Sequence, residues 1–236
     1  MLDGTQLVFG ANGGIGRAIC AQTPPDRLVS IDLAESFTDA SKSAERSIRC
    51  DIADHNDVER AIDAAAAFGA IGSVVIAVGV VDEAPLHELT VEQWKRILAI
   101  SLDGTFYVMR SVLPHLMKRH ASSIVAFSTG WVAQGYPLGA HYAAAKSGVE
   151  ALVRSAAKGY AAEGVRVNAV SPGPIDTPML RNLPDPDQRI AAASQRIPLG
   201  RIGKASEVAD VVAWLTSDRS SYVTGQVIQV SGGLVV

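Results

Sequence analysis

The chain has 236 residues, 48% of them hydrophobic and 19% charged, with a formal net charge of −3. An α/β domain of that size buries enough surface to hold together without a disulfide or a structural metal. The composition excludes the basic footprint of a nucleic-acid binder, and no lysine-rich run offers itself to an anionic membrane.

Short apolar runs alternate with helix-period segments along nearly the whole chain. A strand over 6–10 runs into Gly10-Ala11-Asn12-Gly13-Gly14-Ile15-Gly16 and then a helix over 14–23. Glycines there let the backbone turn at positive φ and approach a pyrophosphate, and the helix N-terminus offers free N–H groups to that anion. The second strand, 28–32, ends at Asp32, whose carboxylate can accept two ribose hydroxyls and repels a 2′-phosphate. Leu33, Asn12 and Gly13 supply no cation for such a phosphate, and Arg17 falls in the helix rather than the turn.

Further strands are expected at 47–51, 73–78, 123–128, 165–170 and 226–230, with helices near 55–68, 91–120, 142–163 and 205–217. The strands are Val- and Ile-rich with little alternation, as strands buried on both faces are. Alternating strands and helices predict a Rossmann-like doubly wound fold, a parallel sheet of about seven strands with helices on both faces. One dinucleotide-binding and catalytic domain over 1–236 is expected. The segment 172–203 holds six prolines and reads as a long irregular insertion, placed as a lid over the site.

Cys20 and Cys50 read as buried free thiols, and the five histidines show no metal-ligand spacing. The first ten residues lack the regions of a signal peptide, and no apolar run reaches the roughly 20 residues of a bilayer span. The expected location is therefore the cytoplasm, with no membrane and no nucleic-acid partner.

Tyr142-Ala143-Ala144-Ala145-Lys146 opens the helix after the fifth strand, and the i, i+4 spacing sets phenol and ammonium on one face. A nearby cation favours phenolate and brings a tyrosine toward useful acid–base chemistry. With this pair in place, the chain resembles the short-chain dehydrogenase/reductase family over essentially its full length. The resemblance is carried by Gly10-x-x-x-Gly14-Ile15-Gly16, Asp51-Ile52, Tyr142-x-x-x-Lys146 and Arg166-Val167-Asn168-Ala169-Val170-Ser171-Pro172-Gly173. Gly200-Arg201-Ile202-Gly203, Thr224-Gly225-Gln226 and Ser231-Gly232-Gly233 complete it.

The resemblance implies NAD as cofactor, a small-molecule substrate and a homotetramer joined through the two long helices. It implies that Tyr142 is the general acid/base and that Lys146 lowers its pKa and holds the nicotinamide ribose. Thr129, thirteen residues before Tyr142, falls where the family keeps a substrate-orienting serine, while Ser128 should point to the other side of its strand. Gly79, Pro172, Gly173, Ile175 and Thr177 would meet the nicotinamide half, and Asp51 and Ile52 the adenine.

Three positions depart from the family pattern: Phe9 replaces a threonine, Ile76-Ala77-Val78-Gly79 replaces Asn-Asn-Ala-Gly, and Ser101 replaces a catalytic asparagine. In the family that asparagine shapes a helix distortion whose backbone carbonyl holds a proton-relay water. Trp131, Gln134 and Tyr136 are placed on the substrate wall, with Met179, Leu180 and Leu183 as an apolar cover. His141 reads as a partly exposed strand-to-helix residue with a second acid as the alternative, and Arg181 as solvated charge or an anion contact.

The sequence thus predicts an NAD(H)-dependent oxidoreductase interconverting a secondary alcohol and a ketone, acting on a small polyol, sugar-like or cyclic alcohol. Two other readings stand beside it. One is a 3-oxoacyl thioester reductase using NADPH, and the other a catalytically weak dinucleotide sensor.

Overall fold

The computed structural model describes residues 3–34, 46–119 and 121–235. Met1 and position 120, the expected end of the long helix, lie outside the described residues. Seven strands form one sheet: β1 (Thr5–Phe9), β2 (Leu28–Asp32), β3 (Ser47–Arg49), β4 (Ile71–Ile76), β5 (Ser122–Phe127), β6 (Val165–Pro172) and β9 (Val227–Val230). Their order is β3-β2-β1-β4-β5-β6-β9, and every neighbouring pair is parallel. The order reverses between β1 and β4, so the crevice at a switch point opens beyond Phe9 and Ile76, which are register partners.

Period-two alternation divides the core into two layers. Leu7, Phe9, Val74 and Ile76 face helices α2 (His55–Ala66), α4 (Gly104–Leu116) and α6 (Ala140–Tyr160). Val8, Val75 and Val125 face α1 (Gly14–Gln22) and α9 (Ala205–Leu215). Phe9, the departure from threonine, is a core residue at 1% exposure. Cys20 and Cys50 are free and buried, and burial pushes their thiols up to about 11 and about 12.

Two expectations need correction. The helix anticipated over 91–120 is composite: α3 (Val91–Leu98), a π turn (Ala99–Asp103), α4, and a 3₁₀ turn (Met117–Arg119). The Gly104 amide reaches five residues back to the Ala99 carbonyl, which widens the helix at that turn. Val91–Arg119 is long and apolar enough by length and composition to cross a membrane, although Lys95, Arg96, Asp103 and Arg110 leave no unbroken apolar run of that length. Its Val108, Val112 and Leu116 side chains are instead packed in the core.

The segment 172–203 is also more regular than expected. β7 (Ile175–Asp176) pairs with β8 (Gly203–Lys204), and between them lie α7 (Pro178–Arg181) and α8 (Pro186–Arg196). Pro178 and Pro186 sit at the first position of their helices, where the missing N–H is no loss. The short helix α5 (Trp131–Gln134) lies between β5 and α6.

The Arg-Val-Asn stretch acts as a clamp on the chain before β9. Arg166 Nη2 donates to the carbonyls of Leu215 and Ser217 at 2.9 and 3.1 Å. The buried Asn168 donates to the Val223 carbonyl at 2.9 Å and accepts from the Gln226 amide at 3.0 Å. Thr224 accepts from the Val167 amide at 3.0 Å. Asn168→Ala removes both of the Asn168 bonds and should lower stability by about 1–3 kcal/mol in urea unfolding. An unchanged midpoint would show that the clamp does not hold β9.

Candidate active site

Two glycines make the turn after β1 possible. Gly10 has φ +80°, and a Cβ on Gly16 would lie 1.9 Å from the Gly10 carbonyl oxygen. Only hydrogen at position 16 lets the first turn of α1 settle on the sheet edge. The Gly13 N-cap has no side-chain hydrogen bond to the helix, so α1 presents uncapped N–H groups there.

Beside that turn lies a cavity of about 370 Å³, with Gly10, Asn12, Asp32, Asp51, Ile52 and Gly79 in its walls. Asp32 Oδ2 accepts the Asn12 amide at 2.9 Å, and Oδ1 accepts the Ala34 amide at 3.2 Å. Each oxygen keeps capacity for a further donor, since a carboxylate offers about four acceptor sites. Asp51 accepts the Ala53 amide at 3.0 Å and gives its own amide to Asp57 at 2.7 Å. That last bond holds the Asp57 carboxyl below the ordinary aspartate range. Arg17 belongs to α1 as expected, yet its Nε donates to the Asn12 carbonyl at 2.7 Å, bringing the guanidinium back to the turn.

A second cavity of about 180 Å³ holds Tyr142, Lys146 and Thr129, together with Ile15 and Gly79. Pro172, Gly173, Ile175 and Thr177 form its lid side. Gly79 borders both cavities and joins them. Gly14 and Gly16 lie in the first turn of α1, and the methyl group of Thr177 would be 2.8 Å from a Cβ on Gly14. Met179, Leu180 and Leu183 supply the expected apolar cover.

Tyr142 stands in the first turn of α6 and Lys146 one turn later, at 2% exposure. Lys146 Nζ donates to the Val78 carbonyl at 3.2 Å and lies 6.0 Å from the centre of the Tyr142 ring. Because a backbone oxygen receives it, the loss of the asparagine turn does not disturb this bond. Burial pushes the Tyr142 phenol up to about 12, with a hydrogen bond from Thr129 acting the other way. Burial lowers Lys146 to about 8. The lysine was expected to bring the phenol down; here desolvation sets the shift, and the opposing contribution comes from Thr129. Ser128 turns its hydroxyl to Glu150 at 2.7 Å, as strand alternation predicted.

Ser101 lies in the π turn and is wholly buried. The distortion thus forms without an asparagine. The Ser101 carbonyl accepts the Thr105 hydroxyl at 2.8 Å, and the Ser101 hydroxyl has no partner among the described residues.

The sequence reading missed an acidic pair after β4. Asp82 binds His141 and, at 3.3 Å, Arg96. Glu83 accepts both guanidinium nitrogens of Arg189 at 2.9 and 2.8 Å and pairs with the Tyr136 hydroxyl. His141 is fully buried rather than partly exposed, because Asp82 draws its ring under the loop. Two adjacent acids after a strand end were the available signal, but their partners are 14 to 106 positions away. Trp131 and Tyr136 stack at 4.6 Å, Gln134 donates to the Leu234 carbonyl at 2.8 Å, and Arg181 pairs with Asp176 at 2.8 Å.

A glycine turn under a helix end, an acid closing β2 and a half-buried tyrosine one turn before a buried lysine define a dinucleotide-type oxidoreductase site. The comparisons agree. A family model described as enoyl-(acyl carrier protein) reductase matches residues 10–235. The cis-4-hydroxycyclohexanecarboxylate dehydrogenase of Sinomonas cyclohexanicum is 38% identical over 238 residues, covering 96% of this chain and 94% of that protein. A 3-oxoacyl-(acyl-carrier-protein) reductase of Thermotoga maritima is 36% identical over 240 residues, covering 98% and 97%. A glucose/ribitol-type short-chain dehydrogenase/reductase structure from Brucella melitensis superposes with a TM-score of 0.89 at 36% identity, covering 99% and 97%. The chain belongs to the short-chain dehydrogenase/reductase family and is an oxidoreductase acting between CH–OH and keto groups.

The buried lysine makes stability depend on pH. Below about pH 8 the folded protein carries a desolvated ammonium; between 8 and 10.5 it has released a proton that the unfolded chain still binds. Stability from this group therefore rises with pH across that window. A shift of that size corresponds to about 3 kcal/mol, offset by about 1 kcal/mol for the lost hydrogen bond in Lys146→Met. The variant should be about 2 kcal/mol more stable than the parent at pH 7, with the gap closing by pH 10.5 in denaturant titrations. Equal stability at pH 7 would contradict the desolvated ammonium.

Proposed function

We propose that the enzyme interconverts a secondary alcohol and a ketone using NAD(H), with Tyr142 as its proton donor and acceptor. The observation that carries this is the position of Tyr142 and Lys146 in a cavity joined through Gly79 to the pocket beside Asp32. The residues fit the dinucleotide: the space a Cβ would fill at Gly16 and the uncapped end of α1 suit a pyrophosphate. Gly10, Asn12, Gly14, Ile15 and Gly16 would hold it there, and Asp32 the adenosine ribose. Asp51 and Ile52 would flank the adenine. Gly79, Pro172, Gly173, Ile175 and Thr177 would border the nicotinamide half, with Lys146 on its ribose. Bound there, the nicotinamide ring supplies or accepts the hydride.

The protein's own part is proton handling and orientation. Thr129 orients the substrate oxygen toward the Tyr142 phenol. With its pKa raised to about 12, that phenol is protonated at neutral pH and suited to giving its proton to a ketone oxygen. The Lys146 cation then favours the phenolate left behind. Ser101 supports this helix through the π turn, with its carbonyl shared between Thr105 and any relay water.

Asp32 supports NAD, because a 2′-phosphate would bring about two negative charges against its carboxylate. The Sinomonas relative, by its name, supports a secondary alcohol as substrate. The apolar lid side chains favour a cyclic alcohol over a polyol. A second reading, a 3-oxoacyl thioester reductase using NADPH, has Arg17 beside the turn and the Thermotoga relative in its favour. The family's dehydrogenases and reductases leave the sensor reading without support.

The proposal extends to one catalytic domain over 1–236, acting in the cytoplasm as a homotetramer. Phe106, 45% exposed on α4, supports association through the long helices. Two free, buried thiols are compatible with a reducing compartment.

Tyr142→Phe should lower kcat for NADH-driven ketone reduction by about 10²–10⁴. Single-wavelength NADH oxidation over a ketone panel reads it. A loss smaller than tenfold would remove the phenol from the reaction.

A further inference from the structure

We propose that the substrate carries a carboxylate at the end remote from its reacting carbon, and that Arg196 holds it. This rests on the alcohol–ketone reading only for placing the reacting carbon at Tyr142. Beyond the catalytic cavity lies another, of about 410 Å³. The two share Thr129, Trp131, Tyr136, Leu180 and Leu183 as walls, so one molecule can occupy both. Tyr142 and Lys146 border the first and not the second, whereas Arg189 and Arg196 border the second and not the first. Arg196, an exposed residue, also lines an outer hollow beside Gln134 and Gly135.

Charge then separates the two arginines. The segment 172–203 holds Arg181, Arg189, Arg196 and Arg201. Arg181 is paired with Asp176, Arg189 with Glu83 and Arg201 with Glu207. Among the described residues no carboxylate takes up Arg196, in the last turn of α8. Glu83 and Arg189 cancel within the cavity, which leaves the guanidinium of Arg196 as its net charge.

The rest of the wall selects the body of the ligand. Pro137, Leu138, Ala192, Ala193, Leu234 and Val235 are apolar, so the cavity suits a hydrocarbon body better than a polyol. A single guanidinium balances one negative charge and matches the planar oxygens of a carboxylate. The polar ends of the substrate are thus set apart: its hydroxyl or keto oxygen meets Tyr142 and Thr129, and its anion meets Arg196.

The test uses ligands that cannot react, so it does not depend on hydride transfer. Isothermal titration of the full-length protein with benzoate and with methyl benzoate should show the acid at least tenfold tighter at pH 7.5. Arg196→Gln should bind acid and ester alike. No preference for the acid in the parent, no binding of either, or a preference that survives in Arg196→Gln would overturn the proposal. A parallel assay follows NADH oxidation with 4-acetylbenzoate and its methyl ester. Acid-selective binding without turnover of either ketone would leave the Arg196 subsite standing and remove the alcohol–ketone reading. Equal binding with turnover of both would do the reverse.

Discussion

The architecture depends on one close approach, that of Gly16 to the carbonyl of Gly10. A Cβ there would overlap a backbone oxygen, and α1 would have to lift from the sheet. With hydrogen in that place, the helix end faces the crevice formed where the strand order reverses. Ala77 then donates to the Phe9 carbonyl at 2.9 Å, so the turn after β4 is fixed against the same edge. Everything assigned to the site hangs from those two turns, including Gly79 between the cavities and the Val78 carbonyl that holds Lys146.

The site places two ionisable groups where both resist their charged forms. Burial raises Tyr142 and lowers Lys146, so the protein alone favours neutral phenol and eases proton loss from the ammonium. Shifts of this kind cluster at sites that move protons, in keeping with the role proposed for the pair. The Asp82 and Glu83 pair frames this arrangement. Asp82 fixes the start of α6 through His141, and Glu83 fixes the substrate wall and α8 through Tyr136 and Arg189. One short loop thereby ties α6 to α8.

Much of this was legible in the sequence, for identifiable reasons. The seven strands of the main sheet were found within two residues at each end, and the central five, buried on both faces, left continuous apolar runs. Asp32, Tyr142 and Lys146 fell beside the crevice because strand ends and helix starts carry local signals. The π turn left no such signal: it is a shift in backbone bonding at Ala99–Asp103, and no residue type demands it. α7 and α8 were hidden because Pro178 and Pro186 were read as breakers when they begin helices. His141 and Glu83 were misread or missed because their settings come from partners far away in the chain.

The central claim is that a dinucleotide lies along this edge with Asp32 choosing its ribose. Titrating the protein with NADH and NADPH by isothermal calorimetry, for the parent and for Asp32→Ala, tests that most directly. The account predicts NADH at least tenfold tighter in the parent, with the preference lost in Asp32→Ala. Tighter binding of NADPH by the parent would contradict it and give Arg17 the decisive role at the turn.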